Sequence, residues 1–146
     1  MADATIRAFF TEYERLTAAG DGEGLARLYA PVFQMAGPAG VQVVKSGDLA
    51  YAVAKRKQLF ESIGFRPTRL VSLHETPLDE RYELVRTEWQ WRLDRGGSVA
   101  ELTLPSTFIL ERTAEGLRIV FYLTHQDVMT ALRERGLLPA TPVNPG

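Results

Sequence analysis

The sequence predicts an α+β fold, in which a cone-shaped, curved antiparallel sheet wraps around three helices of the amino-terminal half, with a short carboxy-terminal helix. Two observations predict it. Apolar residues recur with helical spacing in the first half of the chain, whereas apolar and polar residues alternate along the second half. One face of the alternating stretches is apolar and the other mostly polar, which is typical of an antiparallel sheet covered on one side. Such a cone is expected to leave a cavity, open at one end.

A long hairpin forms the centre of the predicted sheet. Tyr82–Asp94 and Ser98–Arg112 flank Gly96-Gly97, a two-residue loop of the kind that closes a type I′ hairpin. The pairs that this turn places on the apolar face are Trp91 with Leu102, Trp89 with Leu104, Thr87 with Ser106 and Val85 with Phe108. The polar face pairs Arg92 with Glu101, Gln90 with Thr103 and Arg86 with Thr107. Both tryptophans are therefore expected to point into the cone.

Two helices are predicted before the first strand. Asp3 can cap a helix that runs to about Ala19. Its apolar stripe comprises Ile6, Phe9, Phe10, Tyr13 and Leu16. Gly20-Asp21 ends this helix and caps a short second one, which stops at Pro31. The apolar face of the second helix comprises Leu25, Leu28 and Tyr29.

A small hairpin and a third helix follow. Val32–Ala36 and Val41–Lys45 flank the turn sequence Gly37-Pro38-Ala39-Gly40. Ser46 can cap the third helix, and Gly64 can close it. The predicted buried stripe of this helix comprises Leu49, Ala52, Val53, Leu59, Phe60 and Ile63.

Two strands have ambiguous facings. Arg66–Thr76 is predicted as a strand, but both of its alternating sets are partly apolar, so the facing of His74 stays open. The last strand has two possible registers. A three-residue loop that ends at Gly116 points one set inward, namely Val120, Tyr122 and Thr124, and a four-residue loop points the other set inward, namely Ile119, Phe121 and Leu123. The spacing alone leaves both registers open.

The end of the chain is predicted to be a short helix and a tail. Asp127 can cap this helix, which ends at Gly136. Residues 1–139 are expected to form a single domain, since the length suits one core and no linker or repeat interrupts it. Residues 140–146 are expected to form a flexible tail.

Composition argues against several classes of function. Seventeen basic and 18 acidic residues give a net charge of −1 without a basic cluster, which argues against nucleic acid as a partner. The chain has no cysteine for disulfides, and its two histidines lack the nearby carboxylates typical of a metal site. No apolar run approaches the roughly 20 residues of a membrane span. We therefore expect a cytoplasmic protein with no membrane partner, no metal and no other cofactor.

Three local motifs resemble those of one superfamily. The first motif consists of two ranges, Tyr13–Asp21 and Leu25–Ala30. The second is Gly116–Tyr122, and the third is Asp127–Pro139. With the element order, they resemble the nuclear transport factor 2-like superfamily, which includes ketosteroid isomerases, SnoaL-like polyketide cyclases and limonene-epoxide hydrolases. The resemblance covers nearly the whole chain and implies a cone-shaped fold with a pocket. It also favours the first register of the last strand, which points Tyr122 and Thr124 at the cavity and leaves the set Ile119, Phe121 and Leu123 outside. It does not imply one function, because this fold hosts many unrelated activities.

The resemblance to ketosteroid isomerases supplies one catalytic group of three. Tyr13 falls where the isomerase has its oxyanion-hole tyrosine. The isomerase's general base, an aspartate before a proline, falls on Gly37, and its second oxyanion-hole acid falls near Ser106. Because glycine cannot abstract a proton, ketosteroid isomerase activity is not expected.

The other two relatives leave only weak catalytic candidates. The acidic residue of the last strand in the hydrolases falls on Thr124, which carries no charge to activate a water. SnoaL-like cyclases use an aspartate and a histidine for acid–base chemistry. Asp127 matches the aspartate by this resemblance, and His125 lies two residues before it. The simpler interpretation makes Asp127 a helix cap and His125 a residue of the rim or of an interface.

Three hypotheses for function remain. The first is a binding protein with a largely apolar pocket for a small hydrophobic or carbonyl-bearing molecule. The predicted ligand-binding residues are Tyr13, Trp89, Trp91, Ser106, Phe108, Tyr122 and Thr124. The second is a SnoaL-like lyase or isomerase acting on a polycyclic or carbonyl substrate, so whether the protein is an enzyme stays open. The third is a dimerisation module without a small ligand.

An apolar set on the outside of the sheet predicts a homodimer. This set comprises Ile119, Phe121 and Leu123 beside Leu84 and Ile109. Such a patch is larger than a soluble monomer usually exposes. A second copy is therefore the partner expected on this face.

Overall fold

The computed structural model describes residues 4–136 of the protein. In chain order, its elements are α1 (Ala4–Ala19), α2 (Gly22–Ala26), β1 (Tyr29–Gly37), β2 (Gly40–Lys45), α3 (Ser46–Ser62), β3 (Arg69–Pro77), β4 (Tyr82–Arg95), β5 (Ser98–Thr113), β6 (Gly116–Thr124) and α4 (Val128–Glu134). The α+β class, with three helices in the amino-terminal half and a short last helix, is confirmed. The predicted cap Asp3 and the predicted tail lie outside the described residues.

The six strands form one curved sheet in the order β2-β1-β6-β5-β4-β3. Neighbouring strands are antiparallel, with the exception of β1 and β6, which are parallel. This pair departs from the predicted antiparallel sheet. It lies where the amino-terminal hairpin meets the carboxy-terminal strands, and the long intervening chain lets β6 return in the direction of β1.

The central hairpin has the predicted register throughout. Trp89 lies opposite Leu104, and Arg86 lies opposite Thr107. Gly96 and Gly97 have φ angles of 55° and 95°, the left-handed conformation that a type I′ turn requires. We call the side of the sheet that carries Trp89 the inner face and the side that carries Arg86 the outer face.

The second helix is shorter than predicted, and Tyr29 belongs to β1. Asp21 caps α2 by accepting a hydrogen bond of 2.9 Å from the backbone N–H of Gly24. The chain then joins the sheet, where the N–H of Ile119 donates to the carbonyl of Leu28 at 2.8 Å. A helix this short has few internal hydrogen bonds, so pairing in the sheet prevails. Tyr29 consequently lies in the core and is 4% exposed.

A bulge in β3 settles the facing of this strand. The strand begins at Arg69 instead of Arg66, and its register against β4 shifts between Leu70 and Ser72. In a regular strand Leu70 and Leu73 would point to opposite faces, because three positions separate them. The bulge places both on the same hydrophobic cluster. His74 is exposed on the outer face, opposite Arg86.

A bulge in β6 combines the two registers considered above. The loop has two residues, Ala114-Glu115, and the register shifts at Val120. Tyr122 and Thr124 face inward as predicted, paired with residues of the inner face of β5. Ile119, however, takes the core position expected for Val120 and is 0% exposed. The prediction that Ile119 lies on the outer face is therefore wrong.

The third helix is much less buried than predicted. It begins at Ser46 itself, while Lys45 occupies the cap position without a capping side-chain bond. Only Leu49 of the predicted stripe is buried, and both Ala52 and Leu59 are exposed. The rest of the predicted stripe is half-buried, namely Val53, Phe60 and Ile63. The helix therefore covers the sheet without filling the space beneath it.

Two hydrophobic clusters occupy the inner face. The larger packs α1 on the sheet through side chains such as Phe10 and Phe108, whose ring centroids are 5.0 Å apart. The smaller packs α4 on the turn end of the hairpin through Leu132, Leu102 and Leu104. Between residues 4 and 136, no helix is long and apolar enough to span a membrane.

Candidate ligand-binding cavity

A cavity of about 210 Å³ lies between α1, α3 and the inner face of the sheet. Its deep wall consists of buried aromatic side chains, those of Tyr13, Tyr29 and Trp89. Its mouth consists of charged side chains, those of Arg56, Lys57, Glu61 and Arg66. An apolar interior with a few polar groups and an exposed rim is the usual form of a small-molecule site.

Two tyrosine hydroxyls share a buried hydrogen bond at the deep wall. The hydroxyl oxygens of Tyr13 on α1 and Tyr29 on β1 are 2.6 Å apart, and either can donate. Burial raises the pKa of Tyr13 and the pKa of Tyr29 well above the usual value, so both hydroxyls are neutral at physiological pH. The pair has two protons, and one of them lies between the oxygens. Because neither oxygen makes another hydrogen bond within residues 4–136, the second proton can be donated into the cavity.

The indole of Trp89 presents an apolar ring to the cavity. Its Nε1–H donates to the hydroxyl oxygen of Thr87 at 2.8 Å, and that hydroxyl donates to the carbonyl of Ser106 at 3.0 Å. The polar group of the indole is therefore satisfied inside the sheet. Its ring packs on Tyr13 with centroids 5.7 Å apart, which fixes the tyrosine that carries the buried hydroxyl.

Aromatic rings also form the approach to the mouth. Trp91 is half-buried and meets Phe60 and Phe65 edge-on, at centroid distances of 5.7 and 5.6 Å. The guanidinium of Arg56 lies 4.8 Å from the ring centroid of Phe60 and 5.7 Å from that of Trp91. These distances are within the range of cation–π attraction. The outer part of the cavity is therefore aromatic and positively charged.

Six of the seven predicted ligand-binding residues line the cavity. They are Tyr13, Trp89, Trp91, Ser106, Tyr122 and Thr124. The seventh, Phe108, is 0% exposed and lies behind the wall. Its ring meets that of Tyr122 at 4.7 Å and that of Tyr13 at 5.5 Å. Phe108 therefore supports two wall residues from behind and has no surface on the cavity.

The two weak catalytic candidates lie away from the cavity wall. Asp127 caps α4, and its Oδ2 accepts hydrogen bonds of 2.9 Å from both the backbone N–H and the hydroxyl of Thr130. Nε2 of His125 is 2.7 Å from the hydroxyl oxygen of Thr107, a residue of the outer face. Burial, and then the charge of Arg86, lower the pKa of His125. Neither candidate faces the space in which a small molecule would lie.

Gly37 occupies the end of β1, beside β6. Its φ is not positive, and a Cβ built on it would meet only the carbonyl oxygen of Thr124, at 3.6 Å. A side chain would therefore fit at this position without steric conflict. The natural glycine supplies no acid or base there.

Sequence reasoning missed two residues of the cavity. Tyr29 carries half of the hydroxyl pair, but its spacing from Leu25 is that of a helix, and it was predicted as part of α2. Arg56 lies at the mouth of the cavity, and the apolar periodicity of α3 gives no signal for a charged residue there. Placing Tyr29 in a strand requires knowing that α2 ends at Ala26.

The described part of the chain has no cluster of side chains suited to ligate a metal ion. Within residues 4–136, no group of three or more histidine, aspartate or glutamate side chains is placed to hold a metal ion. The polar groups of the deep wall are instead neutral hydroxyls, which suit hydrogen bonding to an organic ligand.

The family of the chain follows from a match over most of its length. The family model described as NTF2-like protein (DUF6841) matches residues 2–127. This chain belongs to that NTF2-like family. The match confirms the superfamily that the sequence motifs resemble. No curated protein matches the chain.

Solved structures share the NTF2-like architecture at low identity. An NTF2-like protein with a cystatin-like fold from Novosphingobium aromaticivorans has a TM-score of 0.72 at 17% identity, covering 93% of this chain and 88% of that one. Aln2 from a Streptomyces species has a TM-score of 0.70 at 13% identity, with coverage of 88% and 93%. The beta subunit of benzoate 1,2-dioxygenase from Burkholderia mallei has a TM-score of 0.65 at 17% identity, with coverage of 89% and 94%. Identities this low show the shared fold and leave function to the site itself.

Proposed function

We propose that this NTF2-like protein binds a small apolar molecule that carries a carbonyl or another hydrogen-bond acceptor. One observation carries the proposal: the Tyr13–Tyr29 hydroxyl pair lines an apolar cavity and has one proton left for an acceptor. An unpaired donor in an apolar site costs free energy, so a ligand acceptor that pairs with it gains affinity. The aromatic rings of Trp89 and Tyr122 would contact the apolar body of the ligand, and Ser106 and Thr124 offer further hydroxyls.

Binding without proton abstraction is favoured over a SnoaL-like lyase or isomerase. Among the described residues that line the cavity, Glu61 is the one carboxylate, and it pairs with Lys57 at the mouth at 2.7 Å. Gly37 has no side chain to act as a base. A general base has to lie within hydrogen-bond reach of the proton that it removes. A carbonyl held by the tyrosine pair would thus be polarised but not deprotonated, and no isomerisation of a Δ5-3-ketosteroid is expected.

Calorimetric titration with matched neutral probes tests the binding function. We expect 2-acetylnaphthalene, a ketone, to bind more tightly than 2-isopropylnaphthalene, which has a similar shape and no acceptor. The difference should be about 5- to 10-fold, since one hydrogen bond contributes about 1 kcal/mol. In the double variant Tyr13→Phe with Tyr29→Phe, the two probes should bind equally.

Two alanines on the same helix provide a matched control for the place of binding. Ala18 lines the cavity, whereas Ala8 lies on the exposed side of α1. Ala18→Phe should weaken both probes at least about 10-fold by filling space that the ligand needs, and Ala8→Phe should leave them unchanged. If Ala18→Phe leaves the binding of both probes unchanged, or if the native protein binds neither these probes nor their carboxylate analogue 2-naphthoate, the cavity is not a binding site and a dimerisation module becomes the better interpretation.

We also propose that two copies associate through the outer face. Leu84, Ile109 and Phe121 form a continuous apolar row across β4, β5 and β6. Arg86 and Glu88 lie on the same face, two residues apart, so a two-fold axis can bring opposite charges together between copies. A self-complementary patch of this kind favours a second copy of the chain over an unrelated partner.

Light scattering tests the dimer. We expect twice the mass of one chain for the native protein and for Leu59→Arg, since Leu59 is an exposed residue of α3 on the other side of the molecule. Ile109→Arg should give the monomer mass, because it places a charge in the centre of the apolar row. A native protein with the mass of one chain at micromolar concentration rules out this assembly.

A further inference from the structure

The charges at the mouth are paired with one exception. Lys57 pairs with Glu61 at 2.7 Å, and Arg66 pairs with Asp94 at 3.3 Å. Arg56 also lines the cavity and has no carboxylate partner within residues 4–136. Paired surface charges contribute little net field, so the mouth presents essentially one available positive charge.

The position of Arg56 suits the binding of an anion. The Cζ atom of its guanidinium lies over the ring of Phe60, 4.8 Å from the centroid, and 5.7 Å from the ring centroid of Trp91. Contact with aromatic rings occupies none of the N–H groups of a guanidinium in a hydrogen bond, so Arg56 keeps donors for a bidentate acceptor. A carboxylate has the geometry that matches this edge.

The interior of the cavity also favours acceptors and anions over cations. The hydroxyls of Tyr13 and Tyr29 stay protonated because burial raises the pKa of each. The positive charge of Arg56 lowers the pKa of both tyrosines, against the larger effect of burial. Its electrostatic field therefore reaches both hydroxyls. A ligand cation would therefore meet a positive charge at the mouth and find no carboxylate among the described residues of the interior, whereas an anion would be attracted.

We propose that the ligand of this cavity is an apolar carboxylate, with its carboxylate on Arg56 at the mouth and its apolar body on the aromatic rings inside. This inference rests on the proposed binding function and specifies its ligand class. The body of the ligand lies against Trp91 first and then reaches Trp89. Any carbonyl or hydroxyl at its inner end accepts the spare proton of the tyrosine pair.

Matched pairs of probes separate charge from shape. The native protein is titrated by calorimetry with benzoate, 2-naphthoate and biphenyl-4-carboxylate, and with the primary amide of each. For the ring system that binds best, the carboxylate should bind at least about 10-fold more tightly than its amide, because its hydrogen bonds to a guanidinium are charge-assisted. This advantage should shrink as salt is added, while the affinity of the amide stays constant.

Two neighbouring cations on α3 provide the control. Lys55 is the residue before Arg56, lies 4.8 Å from the ring centroid of Tyr51 and is not part of the cavity wall. Arg56→Gln should abolish the advantage of the carboxylate and leave the amide within twofold, and Lys55→Gln should change neither. Arg56→Lys should keep part of the advantage, since the charge stays and the planar edge is lost.

The outcomes distinguish this inference from the function on which it rests. If the amides or the neutral ketone bind as tightly as the carboxylates, the inference is wrong and the cavity still binds small molecules. Equal weakening of carboxylate and amide by Arg56→Gln also overturns it, because Arg56 would then contribute packing alone. If no neutral or anionic probe binds, the proposed function fails and this inference fails with it.

Discussion

The two walls of the cavity are built in different ways. The sheet wall carries Trp89 and Tyr122 on strands that are paired on both sides, and Trp89 is 7% exposed. The helical wall is α3, in which Leu49 is the one buried residue and Leu59 is 57% exposed. The sheet wall therefore contributes to the stability of the core, whereas the helical wall encloses the space and presents the charges of the mouth.

The seam between α2 and α3 shows how the helical wall is held. A Cβ on Gly22 would lie 2.0 Å from the backbone oxygen of Ala50, so the two helices touch at their backbones. This contact fixes α3 near its amino-terminal end. The remainder of the helix extends over the cavity, and its side chains are consequently free to interact with a ligand.

The largest effect is expected on the sheet wall. Trp89→Ala should lower the free energy of unfolding by about 3–5 kcal/mol, since it removes a buried aromatic side chain. Trp91→Ala should cost less, because Trp91 is half-buried at the mouth. Urea denaturation of both variants measures the difference. An equal loss of stability for the two variants would mean that Trp91 is as deeply buried as Trp89 and does not lie at the mouth.

The seam between the helices should give the next largest effect. Gly22→Ala should lower the free energy of unfolding by about 1–3 kcal/mol, because backbone atoms of α3 have to move to admit the methyl group. Gly47→Ala is the control, since a Cβ there has nothing within 4 Å. This control should be neutral or stabilising by up to about 1 kcal/mol. A tolerated Gly22→Ala would contradict the close approach of the two helices.

The sheet wall was predictable from the sequence because its register is set locally. The Gly96-Gly97 turn fixes every pair of the hairpin, and the period of two then fixes which residues share the inner face. Six predicted ligand-binding residues follow from the α1 stripe, this hairpin and β6. The open facing of β3 and the error in β6 come from single bulged residues, at Val71 and Val120, which reverse the alternation without a recognisable sequence signal.

The helical wall was not predictable in the same way. An apolar stripe on a helix has the same spacing whether it packs against a filled core or borders a cavity, so the stripe of α3 overstated its burial. Tyr29 was missed because the end of α2 depends on pairing between β1 and β6 across most of the chain. Arg56 has no distinguishing local pattern. Its position at the mouth follows only from the fold, which brings it close to the rings of Phe60 and Trp91.

The tyrosine pair joins α1 to β1 at the deep end of the cavity and should give a moderate effect. Tyr29→Phe leaves the hydroxyl of Tyr13 without its partner and should cost about 1–2 kcal/mol in the free energy of unfolding. The double variant Tyr13→Phe with Tyr29→Phe should cost less than the sum of the two single variants, since no hydroxyl is then left unpaired. A double-mutant cycle in urea measures this coupling. Strict additivity would show that the 2.6 Å contact contributes nothing to stability.

The smallest effect is expected on the exposed side of the helical wall. Leu59→Ala should change the free energy of unfolding by less than about 0.5 kcal/mol, since most of the side chain is in water in the folded protein. Leu49→Ala on the same helix should cost about 2 kcal/mol or more, because Leu49 is 9% exposed. A large loss for Leu59→Ala that grows with protein concentration would mean that another copy covers α3. In that case the subunits would associate through the helical side, and the outer face of the sheet would lose its proposed role in the dimer.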